Sequence, residues 1–72
     1  MTNQQIAIQA MTMGYGAKIE NGRWDSGWTT KRVIVWLRNR KVSVMEVVNE
    51  LALPRSIVYA HYDSVAIYGS DS

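Results

Sequence analysis

The apolar residues of this chain fall into short runs separated by polar or glycine-bearing breaks, and most runs follow a helical spacing. Asn3 to Met13 predicts a first helix, with Thr2 or Asn3 as N-cap and Gly14 as the stop. Ile6, Ala10 and Met13 share one face of it, Ile8 and Met11 fall elsewhere, and it has no charged side chain. In Ala17–Trp24 the Asn21-Gly22 pair predicts a two-residue hairpin turn, because both positions must accept positive φ. Ile19 and Trp24 would supply cross-strand surface, with Lys18 and Arg23 near the tip; a plain surface loop is the alternative. Asp25, Ser26 and Gly27 then break the pattern, and Thr29 or Thr30 can cap a helix running to Arg40. Val33, Ile34 and Leu37 would face the core, with Trp36 on the flank. The β-branched run lowers helix propensity, and a buried strand over Arg32–Leu37 is the alternative.

After a link at Lys41 and Val42, Ser43 and Glu46 stand at capping-box spacing ahead of Val44, Val47, Val48 and Leu51. Ala52, Leu53 and Pro54 interrupt this helix. Pro54 cannot continue a helix but suits the first turn of a new one. A further helix over Pro54–Ser64 would place Ile57, Val58, His61 or Tyr62, and Val65 on its inner side. Two short helices about a buried Leu53 make a helix-turn-helix. Val65–Tyr68 predicts a closing strand and Gly69–Ser72 a frayed tail.

The stretch LALPRSIVY resembles the turn and recognition-helix start of winged helix-turn-helix regulators. The likeness covers Thr29 to Val65 and departs from the pattern at Val48, Ala52 and His61. It implies a mainly α, three-helix bundle with a small β element. The order and length of the elements further lead to the expectation that the hairpin at residues 17–24 pairs with Val65–Tyr68 in place of the usual wing. The 72 residues form one domain with no internal repeat or linker.

Composition narrows the function classes. There is no cysteine, so neither a disulfide nor a thiolate metal site supports the fold. No apolar run approaches the ~20 residues that span a bilayer, and no signal pattern opens the chain; a cytoplasmic protein is expected. The net charge is only +2, but Lys31, Arg32, Arg38, Arg40, Lys41 and Arg55 cluster around the motif, facing only Glu46 and Glu50. That is the electrostatic footprint of a nucleic-acid binder. Enzymatic signals are absent: His61 is the single histidine, and no phosphate-loop or zinc-helix motif occurs. No catalytic residue, metal or cofactor is expected.

The expected function is sequence-specific binding of double-stranded DNA, with residues 54–63 in the major groove. Arg55, Ser56, Tyr59, Ala60 and Asp63 would form the base-reading face, with Arg55 donating to guanine. Lys31, Arg32, Arg38, Arg40 and Lys41, with Lys18 and Arg23 on the hairpin, would hold phosphates. A single module makes few contacts, so a homodimer or cooperative array is expected. The rival class is a winged-helix-like protein-interaction adaptor without DNA binding, favoured by the modest charge and the apolar N-terminal segment. Trp24, Trp28 and Trp36 are expected as core anchors; an exposed one would mark a partner surface.

Overall fold

A computed structural model of the chain describes residues 2–51, 53 and 57–68. Among them, the elements in chain order are α1 (Asn3–Thr12), β1 (Gly16–Arg23), β2 (Thr29–Trp36), α2 (Val44–Glu50), β3 (Ile57–His61) and β4 (Ser64–Tyr68). The four strands form one antiparallel sheet in the order β1-β2-β4-β3. The fold is thus a two-layer α+β arrangement, which overturns the expected three-helix bundle. It is built from an αββ unit twice: each hairpin contributes its second strand to a central seam that pairs Val33 with Ile67, Ile34 with Ala66 and Val35 with Val65.

The expected helix over residues 29–40 is the strand β2. A run of consecutive apolar residues fits any period, so its match to a helical face carried no information. What decides is residue type. Thr29, Thr30, Val33, Ile34, Val35 and Trp36 are β-branched or aromatic, and suit a pleated surface with neighbours on both sides. Val33, Ile34 and Val35 are all buried in a strand flanked by β1 and β4 on either side.

The expected recognition helix is overturned in the same way. Ile57–His61 is the strand β3, paired with β4 from Ile57↔Tyr68 to His61↔Ser64. The two are joined by Tyr62 and Asp63 alone. Tyr62 takes φ of +56°, the positive value that a two-residue hairpin loop demands at its first position. No glycine or asparagine announces this turn. Pro54, Arg55 and Ser56 lie outside the described residues. Leu53 packs against the core but is only half-buried, and Ile57 and Tyr62, expected inside, are exposed.

The Asn21-Gly22 turn is also absent. Both residues continue β1, opposite Lys31 and Thr30, and the hairpin turns instead over Trp24–Trp28. Gly27 N–H donates to Trp24 O at 2.8 Å and Trp24 N–H to Trp28 O at 2.7 Å. Gly22 serves as a notch in the strand. A Cβ there would collide with the Tyr68 hydroxyl and lie 2.7 Å from Arg32 Cδ, so the glycine lets two neighbouring side chains lie down across β1. The segment at residues 17–24, expected to pair with Val65–Tyr68, does not: β2 stands between β1 and β4.

Both helices pack on one face of the sheet. Ile6, Ala7 and Ala10 of α1, Val47 of α2, and Val42 and Leu51 beside it join Val33, Val35, Val65 and Ile67 in one core. The α1 termini follow the expected chemistry. Thr2 and Gln5 form a reciprocal capping box, and the N–H groups of Gly14 and Tyr15 return to the carbonyls of Met11 and Ala10. Met13, expected on the inner face, is exposed. Ser43 caps α2 as expected, its hydroxyl accepting from Glu46 N–H at 3.1 Å. The Glu46 carboxylate does not complete the box: it accepts from both terminal nitrogens of Arg40, one at 2.8 Å.

These packings fix two outcomes. Ile67→Ala removes a wholly buried side chain from the seam and should cost roughly 2–5 kcal/mol in chemical denaturation. Tyr62→Gly should instead stabilise by about 1 kcal/mol, because it relieves a side chain from left-handed backbone.

Candidate functional site: the open face of the sheet

Strand residues alternate sides, so the face away from the helices carries Lys18, Glu20, Arg32, Ile34, Trp36, Tyr59, His61, Ala66 and Tyr68. Its organising side chain is Arg32, which is only 11% exposed. The guanidinium lies across the strands. It donates to Glu20 Oε2 of β1 at 2.9 Å and to the Tyr59 hydroxyl of β3 at 2.9 Å. A terminal nitrogen also stands 3.1 Å from His61 Nε2. A guanidinium has no acceptor, so Nε2 accepts and the ring proton resides on Nδ1. Two buried atoms of this cluster, Arg32 Nε and His61 Nδ1, have no hydrogen-bond partner.

Electrostatics tie the cluster together. Burial alone would lower the Arg32 pKa, but hydrogen bonds to Glu20 and Tyr59 outweigh it and the group is raised above the ordinary arginine value. The Arg32 hydrogen bond, then Lys18 at 3.2 Å, holds the Glu20 carboxyl below its usual range. Desolvation raises the Tyr68 phenol, with the hydrogen bond from Tyr59 acting in the same direction.

Beside Arg32 the rings form a row. Tyr59 donates to the Tyr68 hydroxyl at 3.0 Å, and the two rings stack at 5.7 Å between centroids. Trp24 stacks on Tyr68 at 4.7 Å and 29°. The row borders a groove of about 730 Å³ between the β1–β2 turn and β3, whose walls include Arg23, Trp28, Thr30 and Ile57. Trp28 is 73% exposed and Ile57 56% exposed. At the far end, Lys18, Ile34, Trp36 and Ser64 line a smaller hollow of about 370 Å³ next to Tyr62 and Asp63.

The expected DNA-contact residues are dispersed by this fold. Arg55 and Ser56 lie outside the described residues. Tyr59 is on the open face, Ala60 is on the opposite face of β3, and Asp63 sits in the β3–β4 turn with its carbonyl accepting from Val42 N–H at 3.4 Å. Among the described residues, Tyr59, Ala60 and Asp63 do not form one reading surface. Of the expected phosphate contacts, Arg32 is buried among its partners, Lys18 is engaged with Glu20, and Arg40 with Glu46. Arg23 and Lys31 stand near one end of β2; Arg38 and Lys41 lie past the other. These four make no ion pair among the described residues. Glu20, His61, Tyr68, Trp24 and Trp28 belong to the site and were missed as a group. The signal available was the two-residue spacing of Tyr59 with His61 and of Arg32 with Ile34 and Trp36.

No three acidic, histidine or cysteine side chains gather as metal ligands among the described residues, and no described helix is long and apolar enough to cross a membrane. No family model, curated protein or solved structure matches the chain.

Two checks follow. The depressed Glu20 favours the folded state above the unfolded carboxyl range, and that contribution is lost as pH falls through the folded value. Glu20→Gln should therefore be less stable than wild type at neutral pH and flatten the fall in unfolding free energy on acidification below about 4.5. Nitrogen-15 spectra at neutral pH should show His61 with its proton on Nδ1; the opposite tautomer would break the Arg32 contact described above.

Proposed function

We propose that this chain is a small, non-enzymatic nucleic-acid-binding module that holds its ligand on the open face of the sheet. The observation that carries the reading is the ring row Trp24–Tyr68–Tyr59, with Arg23 at the groove beside it at one end of β2 and Arg38 and Lys41 beyond the other end, none of the three paired to an acid among the described residues. Aromatic side chains on a sheet, with basic residues along the path of a backbone, are what non-specific nucleic-acid platforms combine. The strand between them is ~26 Å long, and the rings border the open face along which a ligand reaching from Arg23 toward Arg38 would lie. A recognition helix in the major groove is not part of this reading, because residues 57–61 are a strand.

One observation favours the adaptor alternative. Ile8 and Met11 of α1 and Met45 and Val48 of α2 are exposed on the helical layer, away from the ring row, where a protein partner would find apolar surface.

The test is polarisation of labelled single-stranded and duplex oligonucleotides over a salt series. Binding should weaken with salt, and Arg38→Ala and Lys41→Ala should each flatten the log–log slope by about 0.7 on a single strand or about 0.9 on a duplex. Absence of binding to either form at low salt would leave the adaptor reading.

A further inference from the structure

We propose that the groove between the β1–β2 turn and β3 seats one unpaired nucleobase, and that the module therefore selects single strands over duplex. The inference rests on the nucleic-acid reading above and names its ligand.

The groove has the size and character of a ligand site. Its volume, about 730 Å³, falls in the ~300–1,000 Å³ range of ligand pockets. Its walls are chiefly flat or apolar: Trp24, Tyr68, Tyr59, Trp28 and Ile57. Trp24 and Tyr68 already stack on each other, and Tyr68 on Tyr59, so these three form a continuous floor. Trp28 is different. It is the most exposed tryptophan, and it has no ring partner among the described residues. An indole left that open across from an exposed Ile57 lacks the flat, apolar insert that would cover both.

The polar groups at the rim suit a nucleotide better than a plain aromatic compound. Arg23 ends β1 at the groove with no acid paired to it among the described residues, in reach of a phosphate. Asp25, Ser26 and Thr30 supply acceptors and hydroxyls where a base edge would lie. Ring faces, which this groove is built to cover, are sealed inside a duplex and free only in unpaired bases. A duplex could offer the rim its phosphates but nothing to the floor.

The experiment uses the full chain with one oligonucleotide presented three ways: as a single strand, annealed into its duplex, and reduced to its nucleoside monophosphate. The single strand should bind at least tenfold tighter than the duplex and quench tryptophan emission. Trp28→Ala should lower single-strand affinity by about 5- to 150-fold, the range expected for one lost stacking partner. Its melting temperature should hold, since Trp28 is largely exposed, and Trp28→Phe should recover most of the affinity. Equal affinity for duplex and single strand, or an unchanged affinity in Trp28→Ala, overturns the inference while leaving a nucleic-acid binder. A monophosphate that binds as tightly as the strand overturns it in favour of a free-nucleotide site. No binding to any of the three removes both readings.

Discussion

The buried guanidinium of Arg32 is the interaction on which the sheet's second face depends. A two-layer fold covers one side of its sheet with helices and leaves the other to water. Here the uncovered side includes Ile34 and Ala66 at the seam, both buried. Arg32 reaches across from β2 to Glu20 on one edge strand and to Tyr59 and His61 on the other. The arm is apolar enough to cover surface, while its head satisfies polar groups on both sides. Its charge is matched by Glu20 and its hydrogen bonds hold Tyr59, so the ring row inherits its geometry from an ion pair. A partly buried pair of this kind serves chiefly to fix one arrangement of the face, with Glu20 still 30% exposed.

That division of labour explains why a chain with a net charge of only +2 can offer a cationic surface. Lys18, Arg32 and Arg40 are committed to Glu20 and Glu46. Among the described residues the cations without an acid partner lie toward the ends of β2, and Trp24, Tyr68 and Tyr59 stand beside Arg32 on the open face. In the proposed function, charge attracts at the periphery and stacking discriminates on the rings. Trp28 stands where the two meet, at the turn that also carries Arg23.

Local chemistry was legible in the sequence, and its assembly was not. The Thr2 and Ser43 caps, the stop at Gly14, the break at Asp25–Gly27 and the strand at Val65–Tyr68 all follow from short-range rules and all hold. The errors came where a neighbour distant in sequence decides. Residues 33–37 and 57–60 are consecutive apolar runs whose spacing suits a helix and a strand alike, and pairing with neighbouring strands selects the strand. Gly22 has the sequence context of a turn, but Tyr68, 46 positions later, needs its missing side chain. The open face could be read only once β1, β2 and β4 were known to lie side by side, because its residues come from separate stretches of chain. Arg32 shows the cost most plainly: its charge placed it among phosphate contacts, whereas its burial makes it part of the scaffold.

The doubled αββ plan has a consequence for how the molecule comes together. Within each unit the strands are joined by short turns, so each hairpin can close quickly on its own. The seam is another matter, since Val33 must find Ile67 across most of the second unit, and only three residue pairs register it. Contacts of such separation pay the loop-closure entropy before they return anything. The slow event is therefore the docking of two preformed halves. Arg32 spans that junction, from Glu20 in the first unit to Tyr59 and His61 in the second, so its contacts need both halves in place and make the guanidinium a latch between them.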